Sequence, residues 1–276
     1  FGPGSLTTSG YPRQVRQWRR GTPLSEAELV FAGNEDDMQV AGYHDPTKGF
    51  ERDWISRSID FFNSEKLLRT GDTLQRIDVP NDSEIDVHRE WMLVQPRSEW
   101  LGHPAGSLLA IRFDEFLDGN RDFTVVFRPD EHSSLQYHQW TRDYLLLVTL
   151  TDVKSRLLVV EPGSWQQHDL PGIPDIGSAD LVDTSPDDSN EYFLQTSGFT
   201  QPSTLSRGVV GDEKPQILKR SPAWFDTDGL TVEQHFATSD DGTEVPYFVI
   251  GGPSPGPTLL YAYGGFEISL TPSYSG

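Results

Sequence analysis

The stretch YLLLVTLTDVKSRLLVV, Tyr144–Val160, shows the structural unit from which most of this chain is built. Two runs rich in leucine and valine, Tyr144–Leu150 and Arg156–Val160, flank the polar segment TDVKS. Apolar runs of this length, separated by residues that favour turns, are typical of β-strands. The stretch therefore predicts a strand, a turn and a second strand.

Similar runs occur along most of the chain. The further predicted strands are Trp91–Gln95, Ser107–Phe113, Phe123–Phe127 and Tyr192–Thr196. Helical signals are few, and the best of them, Leu24–Phe31 with Ser25 and Glu28 at its start, covers only eight residues. The chain up to about residue 225 is therefore predicted to be almost entirely β.

The strands recur in units. Trp54, Trp91, Tyr144 and Tyr192 begin similar strand–turn–strand units, and successive starts lie 37, 53 and 48 residues apart. Periods of about 40–50 residues with several strands each are typical of β-propeller blades. A jelly roll or a double sandwich also contains many short strands but does not explain the recurrence. The pattern predicts about five blades.

The sequence changes character near Phe225. The segments Thr231–Ala237 and Glu244–Ile250 flank the turn SDDG, which predicts a β-hairpin. A proline-rich connector follows, and after it comes an apolar run, Leu259–Tyr261, predicted to be a buried strand. We therefore predict a β-propeller over residues 1–225 and the first strands of a different, α/β domain over residues 226–276.

Composition excludes several classes of function. The formal net charge of −20 argues against nucleic acid as a partner, because phosphate binding needs clustered Lys and Arg. The basic cluster Arg13–Arg20 alternates with apolar residues and is interpreted as the solvent side of a strand. The absence of cysteine excludes disulfides and fits a reducing compartment, so we expect a cytoplasmic location. No apolar run reaches the roughly 18 residues of a membrane helix, so no membrane association is predicted.

Two candidate chemistries are rejected on local grounds. The segment Gly252–Gly256 matches G-x-S-x-G formally, but Pro255 lacks the N–H that would help to hold an oxyanion after Ser254. The seven histidines show no metal-ligand spacing, and the adjacent aspartate pairs lie in turn contexts. We expect neither a metal nor a cofactor.

One segment carries a more specific signal, Tyr261–Phe266 with the sequence YAYGGF. Two glycines allow the backbone to turn tightly beside a site. A tyrosine at the C-terminal end of an α/β strand can direct its hydroxyl into the active-site crevice as an oxyanion donor. The same residues also suit an ordinary strand end, and the chemistry alone leaves both interpretations open.

Three segments resemble one known family. The sequence YAYGGFEISLTPSYS, Tyr261–Ser275, looks like the signature that opens the α/β-hydrolase domain of prolyl oligopeptidase-type serine peptidases. The hairpin region Val232–Phe248 is similar to the segment by which the chain enters that domain, and Tyr192–Pro202 resembles a stretch of the last blade. The three matches follow the family's order along the chain.

The resemblance implies a seven-bladed propeller capping a hydrolase that cleaves short peptides, typically after proline. It implies that Tyr263 donates its phenol hydroxyl to the oxyanion and that Phe266 lies near the pocket for the substrate proline. The family's serine, aspartate and histidine would lie beyond Gly276. Ala262 replaces a glycine common in the family, which leaves the role of Tyr263 in place. The chain is expected to be an inactive fragment whose partners are peptide substrates and the remainder of its own hydrolase domain.

Two alternatives remain open. A relative of oligopeptidase B, or an aminopeptidase-type relative, would share these motifs but prefer another residue before the scissile bond. A non-catalytic propeller that serves as a binding module would need no downstream serine.

Overall fold

Short antiparallel strands make up most of the part of the chain that the structure describes, residues 2–252, 256–265 and 268–276 of a computed structural model. The strands are β1 (Gln14–Gln17), β2 (Glu28–Ala32), β3 (Gln39–Asp45), β4 (Arg52–Ser58), β5 (Ser64–Thr70), β6 (Thr73–Arg76), β7 (Ser83–His88), β8 (Trp91–Pro96), β9 (Leu108–Arg112), β10 (Thr124–Phe127), β11 (Ser133–Trp140), β12 (Leu145–Thr151), β13 (Lys154–Val160), β14 (Gln167–Asp169), β15 (Ser178–Thr184), β16 (Glu191–Gly198), β17 (Gln201–Val209), β18 (Gln216–Arg220), β19 (Thr231–Thr238) and β20 (Glu244–Gly251). Helical structure in these residues is limited to α1 (Phe113–Leu117) and a 3-10 turn, Leu24–Glu26. The predicted mainly β fold is confirmed.

Within the described residues, the strands form four consecutive four-stranded sheets. The sheets are β3–β6, β7–β10, β11–β14 and β15–β18, and in each one the strands pair antiparallel in chain order. A four-stranded meander of this kind is the form of a propeller blade. Two-stranded pairs, β1–β2 and β19–β20, precede and follow the four sheets. The number of blades stays a prediction.

The repeat seen in the sequence marks the same strand of each sheet. Trp54, Trp91 and Tyr192 lie in β4, β8 and β16, and Tyr144 immediately precedes β12. Each of these is the second strand of its sheet and has a paired neighbour on both sides. A strand paired on both sides is covered along both edges, so its backbone N–H and C=O groups are paired within the sheet.

Two sequence expectations need local correction. The predicted strand Ser107–Phe113 ends at Arg112, because Phe113 begins α1 and packs with Phe116 into the core. The helical signal in Leu24–Phe31 yields only the 3-10 turn, and β2 begins at Glu28. In both places pairing and packing override the local pattern.

The chain divides into two compact units, Phe1–Arg128 and Pro129–Gly276. In the first unit, β3–β6 and β7–β10 pack on a core that includes Trp54, Met92 and Val94. The Trp54 and Phe113 rings lie 5.7 Å apart, centre to centre. The predicted domain boundary near residue 225 lies within the second unit and stays a prediction.

The second unit has a core of its own between β11–β14 and β15–β18. The residues at its centre are fully or almost fully buried: Leu146, Val148, Leu157, Val159, Leu170, Ala179, Leu181, Tyr192 and Leu194. Tyr192 lies directly over Gly208, where an added Cβ would come within 2.3 Å of the ring. Glycine at 208 is therefore required by this close approach.

Candidate functional site

The segment that carries the sequence signature lies in the second unit and has no regular secondary structure. Residues 256–265 and 268–276 form no strand, and Leu259 and Leu260 are 90% and 91% exposed. The predicted buried strand Leu259–Tyr261 is therefore wrong for this chain. A strand needs a neighbour for its backbone N–H and C=O groups, and no described residue pairs with this run.

Tyr263, the predicted oxyanion donor, is exposed over 49% of its surface. Its hydroxyl lies over Gly265, since a Cβ added at Gly265 would be only 3.0 Å from the hydroxyl oxygen. Among the described residues no hydrogen bond engages this hydroxyl. The structure thus places Tyr263 at an open surface, with its ring turned back toward Gly265.

Two other sequence assignments lie outside the described residues. These are the proposed substrate-contacting Phe266 and the central residues, 253–255, of the rejected serine motif Gly252–Gly256.

The end of the signature is held by contacts of Tyr274. The Trp224 backbone N–H donates to the Tyr274 hydroxyl at 2.7 Å, and the Tyr274 and Phe225 rings stack 4.9 Å apart. The Tyr274 backbone N–H donates to the Ser197 hydroxyl at 3.1 Å. These contacts tie the signature to β16 and to the segment before β19. Tyr274 lies within the sequence motif, but the motif alone predicted no role for it. An aromatic residue two positions after Pro272 was the sequence feature that could have indicated a packing contact.

The predicted hairpin is present as β19 and β20. Gly242 in its turn has a φ of +89°, which a side chain would disfavour. The Ser239 hydroxyl and the Thr243 N–H, both donating to Asp241, lower the pKa of that carboxyl to about 2. The Gln234 side chain donates to the Asp152 carbonyl at 2.6 Å, which fastens the hairpin to the turn between β12 and β13.

One face of the hairpin has no cover among the described residues. Val245, Tyr247 and Val249 alternate along β20 and are each almost half exposed. The opposite residues of β19 include His235, whose ring stacks on that of Tyr247 at 5.5 Å. The β20 side of this face is apolar, whereas its β19 side carries Glu233 and His235.

Three histidines contact carboxylates. The nitrogen–oxygen distances are 2.8 Å for His44–Asp53, 2.8 Å for His132–Asp152 and 3.2 Å for His235–Glu233. The hydrogen bond to Asp152 raises the pKa of His132. A catalytic triad also needs a hydroxyl on the other ring nitrogen, and no described serine supplies one to these three histidines. They are histidine–carboxylate contacts at the surface.

Within residues 2–252, 256–265 and 268–276, no three His, Asp or Glu side chains lie together so as to hold a metal ion. No helix in the described part of the chain is both long enough and apolar enough to cross a membrane.

The chain is similar in sequence to curated peptidases over nearly its whole length, although no family model matches it. It is 30% identical to the uncharacterized peptidase y4nA of Sinorhizobium fredii, over 99% of this chain and 40% of that protein. It is 24% identical to prolyl oligopeptidase A of Galerina marginata, over 99% of this chain and 38% of that protein. The chain therefore spans about two fifths of the length of the relatives it matches.

Solved structures share its fold. A post-proline cleaving enzyme from Rickettsia typhi superposes with a TM-score of 0.80 at 23% identity, covering 100% of this chain and 42% of that one. Oligopeptidase B from Trypanosoma brucei superposes with a TM-score of 0.77 at 18% identity, covering 98% of this chain and 40% of that one. In sequence and in fold, the chain is therefore similar over nearly its whole length to peptidases, among them a prolyl oligopeptidase and a post-proline cleaving enzyme.

Proposed function

We propose that this chain is part of a serine-type peptidase that cleaves short peptides after proline. The observation that carries the proposal is the similarity of nearly the whole chain to peptidases, among them a prolyl oligopeptidase. The resemblance of Tyr261–Ser275 to the family signature supports it. Residues 1–225 supply the β-sheets of a propeller that admits short, flexible peptides and excludes folded proteins. The remainder of the hydrolase domain is the partner that covers the exposed apolar side chains of β20.

In this mechanism Tyr263 stabilises the tetrahedral intermediate. Attack of a serine on the peptide carbonyl places negative charge on the carbonyl oxygen, and the phenol hydroxyl donates a hydrogen bond to it. The second donor would be the N–H that follows the nucleophile, which the resemblance places outside these 276 residues. No residue of this chain is assigned the triad roles, so the chain alone is expected to be inactive.

We further propose that Phe266 contributes apolar surface to the pocket for the substrate proline. Proline offers a rigid apolar ring, for which an aromatic side chain is a suitable neighbour. The proposal rests on the position of Phe266 three residues after Tyr263 in the signature.

Substitution of Tyr263 in the complete enzyme tests the mechanism. Tyr263→Phe removes the donor and keeps the ring, so kcat should fall by about 10²–10³ with little change in KM. Tyr261→Phe is the matched control, because it removes an exposed phenol hydroxyl two residues away. A loss of less than about threefold for Tyr263→Phe contradicts the proposed role.

The specificity is tested separately, because a solved structure of an oligopeptidase B shares the fold. Two peptides that differ only in Pro or Arg before the scissile bond should be cleaved with a strong preference for Pro. A preference for Arg would favour the oligopeptidase B-type alternative. Failure of the complete protein to react with a fluorophosphonate, which labels activated serines, would favour a non-catalytic binding module.

A further inference from the structure

The space between the two sheets of the first unit is apolar at one end and polar at the other. In β4 and β5, Trp54 pairs with Leu68, and both pack in the apolar core. The next pairs on the same face are Ser56 with Lys66 and Ser58 with Ser64. Alternate residues of a strand share a face, so three serines and a lysine continue the core-facing row.

A cavity of about 360 Å³ lies at this polar end, between β3–β5 and β7. Its polar lining consists of Tyr43, Ser56, Ser64, Lys66, Ser83 and Glu84. A second cavity of about 210 Å³ shares Ser64, Ser83 and Glu84 with the first and reaches the exposed turn between β4 and β5. The two together give a small molecule both room and a route from solvent.

Lys66 brings a positive charge into this space without a carboxylate in contact. Its ammonium donates to the Ile85 carbonyl at 2.9 Å and lies 5.6 and 5.4 Å from the ring centres of Tyr43 and Trp54. Among the described residues it forms no ion pair. Burial lowers the pKa of Lys66, and the negative charge of Asp86 partly opposes that shift. An ammonium has three N–H donors, so two remain for a ligand.

Ser83 supplies a second, independent sign of a ligand. It is only 4% exposed and lines both cavities, yet its buried hydroxyl has no hydrogen-bond partner. A buried polar group without a hydrogen-bond partner costs about 1–3 kcal/mol of stability. A ligand that accepts a hydrogen bond from the Ser83 hydroxyl would remove this cost. Lys66 and Ser83 therefore offer donors to one small space.

We propose that this cavity binds the carboxylate of a small molecule, with the ammonium of Lys66 as its counter-charge and the Ser83 hydroxyl as a further donor. The serines at 56 and 64 supply hydrogen bonds to the rest of the ligand. Glu84 at the rim and the charge of Asp86 repel a dianion more strongly than a monoanion, which favours a carboxylate over phosphate. The C-terminal carboxylate of a short peptide is the source we choose, and that choice rests on the proposed peptidase function.

Calorimetric titration of the intact protein with N-acetyl-alanyl-alanine tests the proposal. This peptide lacks proline, so binding is measured without turnover. The free acid should bind, and its C-terminal amide should not bind measurably, since the amide lacks the charge that faces Lys66. Equal binding of acid and amide, or equal binding of inorganic phosphate, overturns the proposal.

Variants assign the binding to the cavity. Lys66→Met should weaken binding by about tenfold or more, because it removes a charged donor, and Ser83→Ala by about threefold. Lys219→Met is the control, since Lys219 is an exposed lysine on β18 in the other unit. Ser83→Ala removes a hydroxyl without a partner, so it leaves the fold intact even if Lys66→Met does not. Unchanged affinity in Ser83→Ala and Lys66→Met overturns the site, while peptide cleavage assayed separately tests the proposed function.

Discussion

The two units build the same pair of sheets but fill the space between them differently. In the second unit the paired residues Val148 and Leu157 face Leu181, and all three are buried in the apolar core. The corresponding places of the first unit, by strand order and face, hold Ser56, Lys66 and Ser83. Identical strand order thus coexists with an apolar core in one unit and a polar cavity in the other. Strand pairing therefore sets the architecture, while the residues at the polar end of the space between the two sheets can differ without changing it.

The first unit also contains ion pairs on the other face of β4. Arg57 donates two hydrogen bonds to the Asp37 carboxylate, each 2.8 Å long, and a third to Glu65 at 2.9 Å. Asp37 is only 2% exposed and also accepts the Asn34 N–H at 2.7 Å. A bidentate arginine–carboxylate contact of this kind is among the stronger charge-assisted interactions in proteins. We therefore expect the two units to respond differently to cavities and to acid.

The largest effect is expected from truncation in the packed core. Leu146→Ala should lower the free energy of unfolding by about 2–5 kcal/mol, because the buried side chain leaves a cavity that its neighbours fill only partly. Chemical denaturation monitored by tryptophan fluorescence measures the change. Ser56→Ala, at a core-facing position of the first unit, should change stability by less than about 0.5 kcal/mol. Equal losses in the two variants would remove the contrast between the units.

A smaller and pH-dependent effect is expected at Asp37. Hydrogen bonds from Arg57 hold the pKa of Asp37 below its usual value of 3.8. Its contribution to stability is therefore present above the unfolded-state pKa and is lost as the pH falls through the lower folded-state pKa. Hydrogen exchange of the β4 and β5 amides should accelerate at acid pH before that of β12.

Replacement of the carboxylate provides the control for this prediction. Asp37→Asn should lower stability at neutral pH by about 1–3 kcal/mol, because it weakens hydrogen bonds to a charged partner. It should also reduce the loss of protection in β4 at acid pH. A variant with an unchanged acid response would show that other carboxylates control the stability of the first unit.

A smaller effect than at Asp37 is expected from Lys66→Met. The substitution removes the cost of burying a charge but also removes a hydrogen bond and two contacts with aromatic rings, each worth about 1 kcal/mol or less. The free energy of unfolding should therefore change by less than about 1 kcal/mol, which thermal denaturation can measure. A loss above about 2 kcal/mol would mean that Lys66 holds the two sheets together and that the cavity is part of the core.

Much of the β fold could be predicted because its signals are local. The runs Trp91–Gln95 and Tyr144–Leu150 are apolar enough to need cover on both faces, and the Asp-Gly turn specifies the hairpin β19–β20. The strand predicted at Leu259–Tyr261 did not form, because an apolar run becomes a strand only where a partner strand is available. The role of Tyr263 came from a motif, and its chemistry stays a prediction.

The sequence did not predict the polar cavity around Lys66, for a related reason. The sequence around the cavity residues shows no motif that predicts a binding site. Only the pairing of β4 with β5 brings four of them to one face: Ser56, Ser58, Ser64 and Lys66. Their alternation was visible in SRS and SEK, but alternation alone does not say which face is buried. The register between strands decides it, and register is a tertiary property.

The attachment of Tyr274 has a consequence for the order in which the second unit assembles. Its backbone bonds to Ser197, 77 residues earlier, at the end of β16. Contacts between residues so far apart form slowly, since closing the long loop between them costs entropy before the contact contributes any stabilisation. The C-terminal segment should therefore dock last, onto a finished β15–β18 sheet. On the ribosome, the sheets can fold while the residues around Tyr263 are still being synthesised.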